Sequence, residues 1–206
     1  MPTHPLWQPS QLIDPAEVDN RLLMPRRTGE ITVVSPDPGW PAASDRVRTI
    51  IVGALGPTAL AVEQVGSTAV PGLWAKPIID VELIVADSAA EDDYLAALEA
   101  VGFTLAIREP EWEEHRLLEG SDPRSNVHVF SRDAVEPRRA CAFRDWLQSH
   151  PEDRATYGEH KVALAERRFA DVTSYNNAEA GLIYDIYERI FAADSQHRHD
   201  PQPRPP

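Results

Sequence analysis

The chain has 206 residues, 42% of them hydrophobic, and 33 acidic residues against 20 basic ones give a formal net charge of −13. This length and apolar content fit one domain with a sizeable core, and the acidic balance argues against a broad electrostatic surface for nucleic acid. The single Cys141 excludes an intramolecular disulfide and a cysteine-rich metal site. No apolar stretch approaches the roughly 20 residues that span a bilayer, and the N-terminus lacks the pattern of a signal peptide. We therefore expect a cytoplasmic protein with no membrane partner.

The first 30 residues predict an extension that prolines interrupt, with Asp14-Pro-Ala-Glu17 marking the start of a short helix. Apolar spacing then predicts a strand over residues 31–34, a helix from Pro41 to about Leu55, and a strand from Leu60 to Val65. We expect the folded domain to begin with these elements.

A glycine and a serine close that strand, and two carboxylates follow within the next one. Gly66-Ser67 ends the apolar run, and the prolines between Ala69 and Pro77 predict a loop or single turn before a strand over Ile78 to Ala86. Side chains alternate in a strand, so Asp80 and Glu82 share one face with Cα atoms roughly 7 Å apart. The pattern therefore directs two carboxylates to one spot.

Carboxylates in an otherwise apolar strand predict a bound cation. Their burial costs several kcal/mol unless a cation or hydrogen-bond donors compensate, and oxygen-rich sites suit Mg²⁺ or Mn²⁺. We therefore expect Asp80 and Glu82 to hold one of these ions. The turn lets backbone N–H groups and a hydroxyl approach phosphate oxygens, which makes Gly66, Ser67 and Thr68 candidate substrate-binding residues. An alternative is that the carboxylates pair with lysine or arginine on an edge strand.

The rest of the chain predicts strands first and helices afterwards. Ala89 to Val101 has apolar residues at helical spacing and ends at Gly102. Alternation predicts three further strands and the turns between them, over Phe103–Arg108, Glu109–Glu114 (turn), His115–Leu118, Glu119–Arg124 (turn) and Asn126–Ser131. Three helices follow, over Pro137–Ser149, Pro151–Phe169 and Ser174–Ala193. The polar, proline-rich tail over residues 194–206 is expected to be disordered.

These elements predict an α+β fold. A mixed, twisted sheet of about five strands carries the site, helices pack on the sheet, and a C-terminal helical cluster closes one side. The expected domain spans residues 31–193, between the extension over residues 1–30 and the tail.

The order of the motifs also resembles a known superfamily. A strand, Gly66-Ser67, a spacer of twelve residues and Asp80-Val-Glu82 in the next strand are similar to the signature of the nucleotidyltransferase (polymerase-beta-like) superfamily. The run from Val65 to Glu82 more narrowly resembles the GrpB family, a branch that is sometimes fused to dephospho-CoA kinase. The resemblance extends over about residues 31–192 and includes Pro38-Gly-Trp-Pro41, Asn126-Val-His-Val-Phe130, Phe143-Arg-Asp-Trp-Leu147 with His150-Pro151, and Tyr157 followed by Lys161.

The resemblance implies a nucleotidyltransferase fold and attack of an unidentified acceptor on the α-phosphorus of a nucleoside triphosphate. Asp80 and Glu82 are then the catalytic residues that hold Mg²⁺ or Mn²⁺. Lys76, inside the matched motif, is a candidate phosphate contact. The expected partner is a nucleotide or another phosphorylated small molecule, and the oligomeric state does not follow from the pattern.

The chain departs from the family pattern at two positions. Glu179 stands where the last helix usually carries a lysine, four residues after its tyrosine. His128 stands where a third carboxylate is expected, which makes it a candidate third ligand, a substrate contact or a structural histidine. The other candidates for these roles are Glu113, Glu114 and Glu119 as third carboxylate, Arg116, Arg138 and Arg139 as phosphate contacts, and Trp74 as a base-stacking residue. A second function hypothesis is a non-catalytic module that binds a nucleotide, a CoA-like ligand or another phosphorylated ligand.

Overall fold

A computed structural model describes residues 2–9, 12–19, 21–24 and 31–203. Its helices are α1 Pro15–Asp19, α2 Trp40–Leu55, α3 Leu95–Ala100, α4 Glu136–Ser149, α5 Pro151–Ala165 and α6 Val172–Ala193. Its strands are β1 Ala61–Val65, β2 Ile79–Val85, β3 Phe103–Glu109, β4 His115–Ser121 and β5 Arg124–Ser131. Short 3₁₀ turns lie over Gly56–Thr58, Ser67–Ala69 and Glu91–Asp93. The predicted α+β fold is confirmed.

The five strands form one mixed sheet in the order β1-β2-β5-β4-β3. The central pair β2 and β5 is parallel, while the neighbouring pairs are antiparallel. β2 has a neighbouring strand on each side, so it is not an edge strand. Its alternate side chains point to the two faces of the sheet, which meet two different layers of the protein. The predicted mixed sheet of about five strands is therefore confirmed.

One face of the sheet packs against α2 and α3. Val81 and Leu83 of β2, together with Val127 and Val129 of β5, are at most 1% exposed and contact Val47, Ile51 and Leu98 of these two helices. Burying a side chain of this size contributes about 1.5–3 kcal/mol. This packing holds β2 in place, and the alternate side chains of the same strand point to the opposite face of the sheet.

The opposite face of the sheet meets the C-terminal helices α4, α5 and α6. Val70 and Leu73, from the loop between β1 and β2, pack with Leu147, Tyr157 and Ile186 of these helices. The loop is therefore held between the sheet and the helical cluster. This packing fixes the turn that starts at Gly66.

Three predicted elements differ most in extent from those observed. Residues 31–34 contribute only an isolated bridge, between Val34 and Ala75. The predicted helix from Ala89 to Val101 is reduced to a 3₁₀ turn and the short α3, because Tyr94 between them has a non-helical backbone and its buried hydroxyl donates to the carbonyl oxygen of Ser88. The predicted turn over Glu119–Arg124 is largely strand, since β4 continues to Ser121 and β5 starts at Arg124.

Residues 21–23 add a short extended segment to the outer edge of β3. Leu22 forms an antiparallel bridge with Ile107, and the Leu23 N–H donates to the carbonyl oxygen of Ala106 over 2.9 Å. The Arg21 side chain binds Glu109 at 2.9 Å. This part of the predicted extension therefore covers the edge of the sheet, whereas Arg26-Arg27-Thr-Gly29 lies outside the described residues.

The described terminal residues contact each other through an aspartate. Asp194 Oδ2 lies 3.0 Å from His4 Nε2 and 2.9 Å from His197 Nδ1. The Leu6 N–H donates to His4 Nδ1 over 3.0 Å, so the proton of a neutral His4 ring lies on Nε2 and donates to Asp194. The group is therefore a hydrogen-bonded cluster. No helix in the described part of the chain is long and apolar enough to cross a bilayer.

Candidate functional site

The sheet brings the predicted carboxylates together with two polar residues of the neighbouring strand. In the parallel pairing of β2 and β5, Asp80 lies beside Asn126 and Glu82 lies beside His128. Asn126 Nδ2 donates to Asp80 Oδ1 over 2.8 Å, and His128 Nε2 lies 3.9 Å from the same oxygen. The four side chains share one face because partners in register point the same way.

The glycine before the serine is required by the position of Asp80. Gly66 has φ 68° and ψ −172°, a conformation that is essentially restricted to glycine. A Cβ atom at this position would lie 2.6 Å from Asp80 Oδ2. The turn and the carboxylate strand therefore fit closely, and any larger residue at position 66 displaces the carboxylate.

Glu82 supplies the observation that best fits a bound cation. Its side chain is buried, with 4% of the residue exposed, and its buried Oε2 atom has no hydrogen-bond partner among the described residues. Burial raises the pKa of this carboxyl group to about 7, against a smaller lowering effect from His128. A buried carboxylate oxygen without a partner is unfavourable unless the group is protonated or binds a cation. Asp80 and Glu82 are thus suited to hold Mg²⁺ or Mn²⁺.

His128 is not close enough to both carboxylates to complete a three-ligand group in the present rotamers. Within the described ranges, the ligand atoms of His4, Asp194 and His197 all lie within 4.8 Å of one another, and those of Asp80, Glu82 and His128 do not. Burial lowers the pKa of His128, but the neighbouring Asp80 and Glu82 outweigh this effect and raise it overall. In its charged form, His128 is therefore the cation that balances the carboxylates.

The serine of the turn binds a buried lysine from α5. Lys161 Nζ donates to Ser67 Oγ over 2.7 Å and lies 3.5 Å from Glu179 Oε1. Burial lowers the pKa of Lys161, although Glu179 opposes this effect. Tyr175 donates its hydroxyl proton to the same Glu179 oxygen over 3.0 Å. The negative charge of Glu179 therefore offsets the positive charge of Lys161, the lysine closest to the Gly-Ser turn.

The two remaining predicted substrate contacts, Lys76 and Thr68, bind other residues of the protein in the structure. Lys76 Nζ lies 4.7 Å from the ring centroid of Tyr175 and donates to Asn176 Oδ1 over 3.3 Å, so this lysine lies at the α6 side of the turn. Thr68 is 5% exposed and donates its hydroxyl proton to the carbonyl oxygen of Ile78 over 3.1 Å. Its hydroxyl therefore ties the turn to the start of β2.

The alternative acidic ligands lie away from the carboxylate pair. The Glu113 carboxylate accepts the N–H groups of Val135 and Glu136 at the start of α4, and Glu114 binds Arg116. Glu119 aligns with Asn126, two strands from Asp80, a separation of roughly 10 Å. None of the three joins Asp80 and Glu82.

The arginine candidates are also engaged or remote. Arg116 aligns with Val129 and binds Glu91 at 2.6 Å, on the sheet face opposite His128. Arg139 binds Glu136 at 2.9 Å, and Arg138 is exposed on α4. Trp74 is 41% exposed and keeps an accessible ring surface in the loop before β2.

Besides Lys161, three further residues of the site were not predicted from the sequence. Asn126 contacts Asp80 directly, and His115 contacts His128 directly. The charge of Glu136 acts on both Glu82 and His128. Burial raises the pKa of Glu136, while Arg139 lowers it. Asn126 had a sequence signal, because it lies two residues before His128 and therefore on the same face. Glu136 and His115 depend on tertiary contacts that no local pattern reveals.

Comparisons with known proteins identify the family. The family model described as GrpB protein matches residues 30–189. The chain belongs to the GrpB family. A UPF0157 protein of Halalkalibacterium halodurans is 47% identical over 162 residues, which cover 79% of this chain and 83% of the relative. A dephospho-CoA kinase of Mycolicibacterium paratuberculosis is 30% identical over 188 residues, which cover 78% of this chain and 46% of that enzyme.

A solved GrpB structure has a similar fold. The crystal structure of conserved protein GrpB from Enterococcus faecalis aligns with a TM-score of 0.64 and 28% identity, over 76% of this chain and 100% of that one. The predicted family is confirmed, and the matched range includes both the carboxylate strand and the helices that contact the Gly-Ser turn.

Proposed function

We propose that this GrpB-family chain is a metal-dependent nucleotidyltransferase that transfers a nucleotidyl group from a nucleoside triphosphate to an acceptor. The observation that carries the proposal is the partnerless, buried Oε2 atom of Glu82 next to Asp80, on a strand that faces a Gly-Ser turn. The resemblance of these motifs to the nucleotidyltransferase signature gives the reaction class. We place the protein in the cytoplasm, with a phosphorylated small molecule rather than nucleic acid as its partner.

Asp80 and Glu82 are the residues that would hold Mg²⁺ or Mn²⁺. The chemistry that such an ion supplies is neutralisation of phosphate charge and alignment of the attacking hydroxyl with the leaving pyrophosphate. Asn126 fixes the orientation of the Asp80 carboxylate through its hydrogen bond of 2.8 Å. Positioning of this kind contributes most of the catalysis in phosphoryl-transfer chemistry, because little covalent chemistry is needed from the protein.

The Gly-Ser turn is the proposed phosphate-binding element. The absence of a side chain at Gly66 brings the turn close to the Asp80 carboxylate, and the hydroxyl of Ser67 is held by Lys161. Lys76 lies at the edge of the turn and carries a second positive charge. Because Glu179 offsets the charge of Lys161, Lys76 is the proposed main cationic contact for phosphate oxygens.

A binding module without turnover is the second candidate function. The Lys161–Glu179 ion pair favours it, since a neutralised lysine attracts a triphosphate less strongly than a free one. The match to part of a dephospho-CoA kinase makes a CoA-like ligand a reasonable test compound. Retention of both carboxylates favours the enzyme, because an anion sensor gains nothing from them unless a cation is bound as well.

Calorimetric titration of the full chain with ATP, GTP, CTP, UTP and dephospho-CoA, with and without Mg²⁺ or Mn²⁺, tests the proposal. We expect at least one nucleoside triphosphate to bind only when the metal is present. Metal-independent binding of dephospho-CoA alone would favour the binding module. Absence of heat with every triphosphate in both metals would rule out the nucleotide site.

Metal binding should weaken as the pH falls from 8 to 6. The pKa of Glu82 is raised to about 7, so a proton increasingly occupies this carboxyl group below that value, and the raised pKa of His128 adds competing positive charge in the same direction. For each proton that the metal must displace, the apparent affinity for the metal falls by up to about tenfold per unit decrease in pH. Mn²⁺ titrations in two buffers with different ionisation enthalpies measure the protons released. Equal affinity at both pH values with no proton release would contradict this linkage.

A further inference from the structure

A chain of side-chain contacts leads from the candidate site to the edge of the sheet. His128 Nδ1 lies 3.1 Å from His115 Nε2, and His115 Nδ1 lies 2.8 Å from Glu109 Oε2. The other oxygen of Glu109 accepts from Arg21 over 2.9 Å. The other ring nitrogen of His128, Nε2, faces Asp80. The four residues thus connect the described part of the N-terminal segment to the carboxylate strand.

The chemistry of these contacts fixes where the ring protons lie. A carboxylate only accepts hydrogen bonds, so His115 Nδ1 must be the donor to Glu109. Arg21 already balances the charge of Glu109, and His115 is 2% exposed, so a second charge on this ring is not required and is unfavourable. His115 Nε2 then carries no proton and accepts from His128 Nδ1.

Packing holds the His115 ring in that orientation. Its ring is stacked on Phe130 with centroids 4.7 Å apart, and Trp112 contacts it edge-on at 4.7 Å. Reversal of the ring would break both the hydrogen bond to Glu109 and the one to His128. His115 is therefore a fixed acceptor rather than a freely rotating neighbour.

We propose that Arg21, Glu109 and His115 act as positioning residues that keep a proton on His128 Nδ1, so that the nitrogen without a proton in the neutral ring is Nε2, which faces Asp80. The functional consequence of this inference rests on the proposed function. A neutral His128 ring with its proton on Nδ1 offers its Nε2 lone pair to a metal ion or substrate. Partners of this kind set the tautomer of ligating histidines, and their loss typically lowers metal affinity by about 10–100-fold.

Imidazole nitrogen NMR of the ¹⁵N-labelled full chain tests the assignment directly. In the metal-free wild type at pH 8, both His115 and His128 should carry a proton on Nδ1. In His115→Phe, which keeps a ring for packing but offers no acceptor, the His128 signals should shift towards the Nε2-protonated form. Mn²⁺ affinity should fall by about 10–100-fold in this variant.

Two further variants separate positioning from general disruption. His115→Gln, whose side-chain oxygen can accept in place of Nε2, should restore most of the affinity. His160→Phe, in a partly buried histidine of α5 outside the chain of contacts, should leave both readouts unchanged. A wild-type His128 without a proton on Nδ1 overturns the inference even if His115→Phe does not fold. Unchanged His128 signals in a folded His115→Phe would overturn it too, whereas Nδ1 protonation without any Mn²⁺ binding would sink only the proposed metal site.

Discussion

Joint replacement of Asp80 by Asn and Glu82 by Gln should lower the affinity for Mn²⁺, and for any metal-dependent nucleotide, by more than about 100-fold. The two amides keep the size of the side chains but remove both negative charges from the site. The fold should survive, because Glu82 is buried with a partnerless oxygen and its neutral replacement removes a desolvation cost. Calorimetry and thermal unfolding of the same preparations measure both effects.

A matched charge control accompanies this variant. Asp92→Asn with Glu159→Gln removes the same two charges from exposed positions, and it should bind Mn²⁺ as the wild type does because exposed charges are screened. Equal losses in the two double variants would mean that net charge, rather than the carboxylate pair, attracts the metal. Wild-type affinity in the Asp80/Glu82 variant would refute the assigned site.

Replacement of Lys161 by Met should destabilise the protein by about 3–5 kcal/mol, because removal of one partner leaves the other charge buried. The side chains of Lys161 and Glu179 are only 4% and 6% exposed. The hydroxyl of Tyr175 would still donate to the Glu179 carboxylate over 3.0 Å, but a neutral donor does not balance the charge. Urea unfolding of the full chain measures the change in the free energy of unfolding.

The double variant Lys161→Met/Glu179→Gln identifies the cause. It removes the unpaired charge while the amide oxygen introduced at position 179 can still accept from Tyr175, so it should recover most of the lost stability. Arg189→Met breaks a more exposed ion pair with Asp153, whose arginine is 44% exposed, and it should cost less than about 1 kcal/mol. A double variant as unstable as Lys161→Met alone would show that the lost hydrogen bond from Lys161 Nζ to Ser67 Oγ, rather than the unpaired charge of Glu179, causes the destabilisation.

The sequence predicted the part of the site that depends on local pattern. Alternation along one strand is enough to put Asp80 and Glu82 on one face, and the glycine preceding Ser67 indicates a turn that requires an unusual backbone. The contacts of Lys161 with Ser67 and Glu179 differ in this respect. The hydrogen bond from Lys161 to Ser67 joins residues 94 positions apart, and no periodicity within a helix or strand reveals such a pair.

The same distinction applies to the fold. Strand and helix types were predicted where apolar spacing is regular, as in β2 and α2. The helix predicted from Ala89 to Val101 was too long because burial of Tyr94 and its hydrogen bond to Ser88 outweigh helical propensity there. The role of His115 was not predicted, since its partners Glu109 and His128 lie on different strands.

The extended segment formed by residues 21–23 has a consequence for the behaviour of the protein at high concentration. Exposed edge strands present unpaired N–H and C=O groups on which another chain can add a strand, and this is a common route to aggregation. Leu22 and Leu23 occupy part of that edge on β3. The segment therefore blocks intermolecular sheet extension along the part of β3 that it covers, which favours the colloidal stability of the protein.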